Sequence, residues 1–598
     1  MKNFLTSMVG TLVALFIFSF CSLLVMAGLI GAIVSLNARK SSSHERIETG
    51  SYLVFDLSSN LVDAPPVFEF GDFSSAHRDT LQLRSVIRAI HEAAADSRIA
   101  GIFLKGSLTP GGVGSGYAAL QEVRLALIQF RRTGKPVKAY LDFATTRDYY
   151  LASAADEINL NPYGLIYMPG LAVEETFFAG ALEKYGVGIQ VTRVGKYKSF
   201  VEPFVRKDMS PENREETQRL IGDIWQSLLA DIGRARDVAP ARIQATVDRE
   251  GLIRAEVAKS AHLVDKVAYV DQILDELKGA TGRTGPKEVF KQVTLEAYAK
   301  AMPDLADKSS GPAIGIAYAE GDIVEGEGDN GQVGGLSFAR DLRRLREDDN
   351  VKAIVLRVNS PGGSATAAEQ IQREVRLARK VKPVIVSMGA YAASGGYWIS
   401  AESDRIFAEP TTITGSIGVF GIQFDVQKLA NDFGITFDSV KTGKFAGALT
   451  ISRPKTPEEM AVLQRMVDWI YGQFIGKVAG GRKLAPEYVE TIAQGRVWSG
   501  KEALKLGLVD ELGGLGRAVA FAAEKVNLKG GYRLVEYPEK KGLAEALAEL
   551  LGKMEPESRA PALVAAAEKR LEAEAQELKG FNDSQGIYAR LPMEAALH

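Results

Sequence analysis

The stretch "DSRIAGIFLKGSLTPGG" at residues 96–112 returns in altered form as "DDNVKAIVLRVNSPGG" at residues 348–363. Three further pairs of similar blocks follow in the same order: "GKPVKAYLDF" (134–143) with "VKPVIVSMGA" (381–390), "GVGIQVTRVGKYKSF" (186–200) with "GITFDSVKTGKFAGA" (434–448), and "GLIRAEVAKSAHLVD" (251–265) with "GRVWSGKEALKLGLVD" (495–510). The separation stays at about 250 residues, which indicates an internal duplication. We therefore predict two similar domains, at residues 47–310 and 311–535.

Within each repeat, short apolar runs alternate with segments of helical periodicity. The run "VKAIVLRV" (351–358) is rich in β-branched residues and is typical of a buried strand. The segment "SATAAEQIQREVRLARK" (364–380) has the spacing of a helix, with Ser364 or Thr366 as its candidate cap. Such alternation favours an α/β fold with a mostly parallel sheet. Residues 536–598 are rich in Ala, Glu and Lys, and we predict a helical tail there.

The composition narrows the class of function. The 598 residues carry a formal net charge of -2, with 46% hydrophobic and 24% charged residues, so the charge balance does not point to nucleic acid. Cys21 is the single cysteine, which excludes an intrachain disulfide and a zinc site built on cysteine. We expect neither a metal nor a cofactor.

The N-terminus differs from the rest of the chain. No charged residue occurs from Asn3 to Ala38, and the apolar run at residues 5–36 exceeds the about 20 residues that a membrane-spanning helix needs. A cleaved signal peptide has a shorter apolar region, of roughly 7–15 residues, so we predict an uncleaved membrane anchor at residues 1–46. More basic residues follow the run than precede it, which by itself would place the rest of the chain in the cytoplasm.

The duplication provides an internal control for the two lysines of "VGKYKSF" (194–200). When this segment is aligned with "TGKFAGA", Lys196 pairs with Lys444, whereas Lys198 pairs with Ala446. A residue needed for the fold tends to recur in both repeats, while a residue needed for one reaction can occur in only one. Lys196 is therefore interpreted as a structural or surface feature, and Lys198 as the candidate for chemistry.

Ser394 is the corresponding peculiarity of the second repeat. It lies in "MGAYAASGGYWISA" (388–401), between a predicted strand and a predicted helix. The glycines that follow allow close approach of a substrate, and the helix N-terminus favours developing negative charge. In the first repeat, "LDFATTRDYYLASA" places Arg147 opposite the serine, and Asp148 and Tyr149 opposite the glycines. The serine thus occurs in one repeat only.

A nucleophilic serine needs a base, which is a histidine in the Ser-His-Asp triad. The second repeat has no histidine, and none of the five in the chain lies in a recognisable motif: His44, His77, His91, His262 and His598. His91 or His262 would have to reach across from the first repeat. A lysine acts as a general base when burial lowers its pKa, and Lys198 would meet Ser394 where the repeats pack together. The sequence therefore favours Lys198 as the base.

Two loops of the second repeat supply further candidates. Gly362 and Gly363 in "RVNSPGGSA" follow a predicted strand, and their N–H groups can face a developing oxyanion. Ser416 in "TTITGSIGVFG" can orient a lysine amine through its hydroxyl. Taken alone, the first is a Pro-Gly turn and the second is a loop serine.

The motifs "VNSPGGS", "ASGGYWIS", "TGSIGV", "GKYKSFVEPF" and "GRVWSGKEALKLGLVDELGG" together resemble the signal peptide peptidase A (SppA, protease IV) family, in its long, duplicated, membrane-anchored form. The resemblance extends from the anchor to about residue 535. It implies tandem Clp-protease/crotonase-like α/β domains. It also implies a Ser/Lys dyad of Ser394 and Lys198, with Ser416 orienting the lysine. The oxyanion hole would comprise Gly362, Gly363 and the amide of Gly395.

The same resemblance implies a biological setting. We expect a homotetramer in the bacterial inner membrane, with one span at residues 5–36 in the lipid bilayer and the catalytic region on the periplasmic side. Cleaved signal peptides and other apolar peptides would be the substrates. This orientation conflicts with the basic residues after the anchor, and we follow the family because long domains translocate despite local charge.

Two other functions stay open on the residues alone. A crotonase-like acyl-thioester enzyme would share the fold and the oxyanion hole without needing both Ser394 and Lys198. A catalytically silent scaffold that binds unfolded chains would need neither. The distance between Lys198 Nζ and Ser394 Oγ is the observation that separates these hypotheses most directly.

Overall fold

The computed structural model describes residues 47–65, 80–107, 116–302, 311–329, 331–528, 531–538, 583 and 587–591. The chain divides into two units, Met1–Glu48 and Thr49–His598, and the fold below is that of the second. The predicted anchor at residues 5–36 lies outside the described residues, as does most of the predicted tail. No helix in the described ranges is long and apolar enough to cross a bilayer.

Strands are distributed along both repeats. In chain order they are β1 (Ser51–Asp56), β2 (Asn60–Val62), β3 (Thr80–Gln82), β4 (Ile99–Lys105), β5 (Val137–Thr145), β6 (Glu157–Tyr167), β7 (Gly188–Val194), β8 (Leu252–Arg254), β9 (Lys266–Val267), β10 (Gln292–Thr294), β11 (Ala313–Glu320), β12 (Asp322–Val324), β13 (Gln332–Gly334), β14 (Val351–Ser360), β15 (Gly362–Ser364), β16 (Val384–Ala393), β17 (Arg405–Ala408), β18 (Ile413–Gly415), β19 (Val419–Asp425), β20 (Val497–Ser499), β21 (Glu511–Leu512), β22 (Arg533–Tyr537) and β23 (Ile587–Arg590).

Helices alternate with these strands. They are Leu83–Ala95, Tyr117–Arg131, Thr146–Ala152, Ala179–Lys184, Glu202–Val205, Pro211–Arg236, Pro240–Glu250, Ala255–Ser260, Val270–Ala280, Leu295–Ala301, Gly335–Glu347, Ala365–Arg379, Gly395–Ser400, Gln427–Asp432, Pro457–Arg482, Pro486–Ile492, Gly500–Lys505 and Leu515–Lys525, with a short 3₁₀ helix at Ser199–Val201. Of the two candidate caps, Ser364 is the one used, since its hydroxyl accepts from the Ala367 amide at 3.0 Å.

Two large sheets, one in each repeat, share a topology. The strand order is β10-β1-β4-β5-β6-β8 in the first and β22-β11-β14-β16-β18-β20 in the second. The central pairs are parallel in both sheets, whereas β8 and β20 run antiparallel to their neighbours. Strand β14 is almost wholly buried, as its continuous apolar run requires when helices cover both faces. The prediction of a duplicated α/β fold with mostly parallel sheets is confirmed.

Matching tyrosines fix the register between the repeats. The hydroxyls of Tyr149 and Tyr397 donate to leucine carbonyls in the equivalent "HLVD" and "GLVD" segments, at 2.7 and 2.9 Å. This equivalence pairs Thr146 with Ser394, so the alignment that placed Arg147 opposite the serine is wrong by one residue. The error arose because the two strand-to-helix segments share little sequence before the tyrosine. The serine still has no counterpart serine in the first repeat.

A third sheet joins the repeats, with the order β13-β12-β15-β23-β19-β7. Strand β7 of the first repeat pairs antiparallel with β19 of the second, from Val194 opposite Val419 to Gly188 opposite Asp425. The pairing carries the segment after β7 into the second repeat. The central strand, β23, comes from the C-terminal segment, where the composition had predicted helix.

A buried ion cluster also crosses between the repeats. The fully buried Arg357 lies 2.7 Å from Asp63 Oδ1 and 2.7 Å from Glu122 Oε1, and its Nη1 donates to Ser387 Oγ at 2.9 Å. Both carboxylates belong to the first repeat, whereas the arginine is on β14. A buried charge is tolerated when its partners satisfy it in this way, so the cluster fixes how the repeats pack.

Candidate active site

Three predicted site residues meet in the interior of the protein. The Lys198 amine lies 2.8 Å from Ser394 Oγ and 3.0 Å from Ser416 Oγ, and all three residues are fully buried. The amine also donates to the Ser416 carbonyl at 3.3 Å. Lys198 comes from the first repeat and both serines come from the second. The site is therefore built from both repeats, as the sequence predicted.

The serines are brought together by adjacent parallel strands. Ser394 directly follows β16 and Ser416 directly follows β18, and these strands pair with Ala393 opposite Gly415. Functional residues of open α/β sheets collect at this carboxyl edge. Both serines have positive φ, 54° for Ser394 and 49° for Ser416, which is a strained backbone for a residue with a side chain.

Glycines make room for the lysine. A Cβ on Gly418 would lie 3.2 Å from Lys198 Cδ, and a Cβ on Gly495 would lie 2.6 Å from Lys198 N. Gly495 also has a φ of +81°, which disfavours any other residue. The Lys198 side chain therefore runs through a narrow passage between two backbone segments of the second repeat.

Burial determines the charge of the amine. It lowers the pKa of Lys198 well below the usual 10.5, against an opposing effect of Glu216. The centroid of the Phe420 ring lies 5.8 Å from Nζ. Lys196, by contrast, has an exposed side chain that lies over the neighbouring Tyr197 ring. The structure thus separates the two lysines in the sense that the repeat comparison predicted.

Glu216 is a buried acid of the site that the sequence analysis missed. Its carboxyl accepts from Ser199 Oγ at 3.2 Å and from the Val497 amide at 3.1 Å. Burial raises its pKa to about 8, so the carboxyl is mostly neutral at pH 7 and does little to restore charge on Lys198. In the sequence it stands among other acids of a helix, without a motif, and only its position on the buried face distinguishes it.

The predicted oxyanion glycines surround one small space. Gly362 and Gly363 have φ values of +104° and +154°, and a Cβ on Gly362 would lie 2.7 Å from the Gly395 amide nitrogen. The Gly362 amide itself donates to Ser360 Oγ at 3.1 Å. In this structure its N–H is therefore directed to Ser360, and its role in an oxyanion hole stays a prediction. The position shapes the space, while Gly363 and Gly395 remain the candidate donors.

The two histidines considered as alternative bases are not buried with the candidate nucleophile. The side chains of His91 and His262 are exposed, whereas Ser394 is fully buried. The other three histidines lie outside the described residues. No cluster of metal-binding side chains is found in the described part of the chain.

Comparison with known proteins identifies the family of the chain. The model of peptidase family S49 matches residues 129–282 and residues 376–529, one match in each repeat. The chain belongs to peptidase family S49. It is 36% identical to "Protease 4" of Salmonella typhi over 583 residues, with 94% of this chain and 93% of that protein covered. It is 35% identical to "Protease 4" of Haemophilus influenzae, with 84% of each chain covered.

A plant relative extends the comparison. The S49 chain is 32% identical to "Serine protease SPPA, chloroplastic" of Arabidopsis thaliana, with 81% of this chain and 70% of that protein covered. Among solved structures, a ClpP1 mutant from Listeria monocytogenes matches with a TM-score of 0.24 and 15% identity, over 34% of this chain and 94% of that chain. From the family and its relatives, the protein is a serine protease of the SppA/protease IV type with duplicated S49 domains, and the acyl-thioester and scaffold hypotheses find no support.

The narrow passage around Lys198 yields a first prediction. In Gly495→Ala the new methyl group would lie 2.6 Å from Lys198 N, so the lysine must shift. A misplacement of this size costs about a hundred-fold in kcat/KM for an apolar peptide substrate. The matched control is Gly434→Ala, where φ is +77° but no atom lies within 4 Å. It carries the same backbone strain and should keep near-native activity. Equal losses in both variants would contradict the positioning role.

Proposed function

We propose that this S49 peptidase is a membrane-anchored endopeptidase that cuts apolar peptides, including cleaved signal peptides, with Ser394 as nucleophile and Lys198 as general base. The observation that carries the proposal is the 2.8 Å contact between the buried Lys198 amine and Ser394 Oγ. A nucleophile and a base within hydrogen-bond reach, with a third group orienting the base, form the arrangement that activates a serine. Ser416 supplies that third group.

The proposed reaction starts from a neutral amine. Lys198 takes the Ser394 proton as Oγ attacks the peptide carbonyl, and the resulting oxyanion is stabilised by the amides of Gly363 and Gly395. The protonated lysine then gives its proton to the leaving nitrogen, and the acyl-serine ester forms. Water, deprotonated by the same amine, hydrolyses the ester and regenerates Ser394. One lysine thus serves as base and as acid in both halves of the cycle.

The setting in the cell envelope is also a proposal. The apolar run at residues 5–36 supports one membrane span. The family resemblance supports a periplasmic catalytic region, because a long domain translocates despite the basic residues beside the span. Exposed apolar side chains after β19 support self-association into the expected homotetramer, among them Phe433, Val440 and Leu449. The proposed architecture is two Clp-protease/crotonase-like domains per chain. No cofactor enters the proposed chemistry.

The division of roles between the lysines predicts the effects of three substitutions. Ser394→Ala and Lys198→Ala should each lower kcat for an apolar peptide by several orders of magnitude, because both residues act in the same step. Lys196→Ala is the matched control and should have a mild effect, since that side chain is exposed. Melting temperatures of all three variants check that the fold persists. A loss in Lys196→Ala as large as in Lys198→Ala would refute the assignment.

A lysine base also predicts the pH dependence. Activity should rise with pH as Lys198 loses its proton, and burial moves this rise well below the value of about 10.4 for a free lysine. The measurement is kcat/KM across pH 5 to 10, which reports essential groups of the free enzyme. A histidine base would instead give a rise near 6.5. If residual activity of a Lys198 variant kept the same pH midpoint, Lys198 would not be the base.

The membrane topology has its own test. A reporter that is active only in the periplasm, fused after His598, should be active if residues 5–36 span the membrane and the body is translocated. The same fusion to a reporter that is active only in the cytoplasm should be silent. The opposite pattern would show that the basic residues after the span, rather than the family resemblance, predict the orientation.

A further inference from the structure

Glu216 links the lysine segment, residues 194–200, to the second repeat through one carboxyl. The residue lies on a helix of the first repeat and is 1% exposed. Its Oε1 accepts from the Ser199 hydroxyl at 3.2 Å, and its Oε2 accepts from the Val497 amide at 3.1 Å. Ser199 directly follows Lys198, and Val497 begins β20. This carboxyl bridge therefore joins the neighbour of the proposed base to a strand of the other repeat.

Strand β20 in turn is attached to the segment that carries Ser416. It runs antiparallel to β18, with its first residue opposite Gly415, which precedes Ser416. The Ser416 amide donates to the Arg496 carbonyl, directly before β20, at 2.7 Å. The carboxyl bridge thus ties together the backbone segments that carry the Lys198 amine and the Ser416 hydroxyl, which lie 3.0 Å apart.

The length of the lysine side chain makes the position of its backbone important. A long, flexible stem separates the Lys198 backbone from an amine that lies 2.8 Å from Ser394 Oγ. A misplacement of about 1 Å near the reacting groups lowers the rate about a hundred-fold. A residue that fixes the backbone beside Lys198 therefore acts on the rate without contacting the substrate.

The carboxyl makes these contacts mostly without a charge. The charged groups that face it are Lys198, on the lysine segment, and Arg496, on the loop before β20. Arg496 is already paired with the exposed Glu215 of the same helix at 2.6 Å. Burial outweighs both cations and raises the pKa of Glu216 to about 8. A neutral carboxyl is favourable here, because a carboxylate would stabilise the charged amine, which cannot accept a proton.

We propose that Glu216 is a positioning residue, which in its neutral form ties the lysine segment to β20 and so keeps the Lys198 amine within reach of Ser394. The inference rests on the proposed function and deepens it, since it concerns how the same site is held together. Glu216 transfers no proton in the reaction, because its two oxygens are engaged by Ser199 and Val497.

Two substitutions of Glu216 separate the bridge from the charge. Glu216→Ala removes both contacts and should lower kcat for an apolar peptide by roughly ten-fold to a hundred-fold. KM should change little, because the amine acts in the chemical step. Glu216→Gln has nearly the same shape, and its amide can accept from Val497 and donate to Ser199, so kcat should return to within a few-fold of the wild type. The matched control, Gln218→Ala, removes an exposed side chain from the same helix and should change neither constant.

The pH dependence separates a neutral carboxyl from a charged one. In Glu216→Gln the rise of kcat/KM with pH should keep the wild-type midpoint, since one neutral group replaces another. Thermal stability should respond differently, because a carboxyl whose pKa is raised from 4.5 to about 8 by folding destabilises the folded chain as the pH rises between these values. The melting temperature of Glu216→Gln should therefore exceed that of the wild type by an amount that grows up to about pH 8 and is constant above it.

Other outcomes would overturn the inference. Wild-type kcat in a folded Glu216→Ala, with Lys198→Ala inactive, would refute the positioning role and leave the proposed function intact. Activity in Lys198→Ala would refute the proposed function itself. A loss in Glu216→Gln as large as in Glu216→Ala would show that hydrogen bonding by a neutral group is not sufficient. A shift of the midpoint to lower pH in Glu216→Gln would show that Glu216 acts as an anion.

Ser199→Ala provides the same test if Glu216→Ala does not fold. This variant removes one of the two contacts of the carboxyl bridge and leaves the buried acid in place. Its kcat should fall several-fold with KM unchanged, whereas an unchanged kcat would overturn the positioning role. In a folded double variant with Glu216→Ala, the two losses should be less than additive, because both substitutions break the same contact.

Discussion

The burial of one amine between two repeats is the constraint on which the site depends. An ammonium group is costly to hold away from water, so burial lowers the pKa of Lys198 and favours the neutral form that a general base requires. Its remaining hydrogen-bonding capacity is met by Ser394 and Ser416. The surrounding features follow from this need: glycines leave a passage for the side chain, and the pairing of β7 with β19 delivers it.

Duplication divides the chemistry between two similar domains. The second repeat places a strained serine at the end of β16, and the first repeat, whose equivalent turn has Thr146, contributes Lys198, the proposed base. The segment of the second repeat that corresponds to the lysine loop is exposed, so Lys444 and Ala446 have no comparable environment. Each repeat alone is therefore incomplete, and the ion cluster around Arg357 keeps the two in fixed contact.

Features with a local signature were predictable from the sequence. Apolar runs and helical spacing predicted the parallel sheets, and the asymmetry of the repeats selected Lys198 over Lys196. The family resemblance predicted that Ser416 orients the lysine, and its Oγ lies 3.0 Å from the Lys198 amine. The hydrogen bond from the Gly362 amide to Ser360 Oγ was not predicted, because it depends on a turn geometry that the glycine pair does not reveal.

Features set by long-range contacts escaped prediction. Glu216 looks like any acid of a helix until the packing buries it. The composition of the C-terminal segment favours helix, yet Ile587–Arg590 is a strand because two facing strand edges pair with its backbone. Pairing across more than two hundred residues leaves no periodic pattern in a four-residue segment.

The state of the Lys198 amine is the central claim, and nuclear magnetic resonance measures it directly. In the full-length chain with ¹⁵N-labelled and ¹³C-labelled lysine, Lys198→Met assigns the Lys198 side-chain signal by its disappearance. The account predicts that this signal titrates well below the other lysines as the pH is raised. A Lys198 signal that stays in the charged position until about pH 10, together with the exposed lysines, would contradict the account.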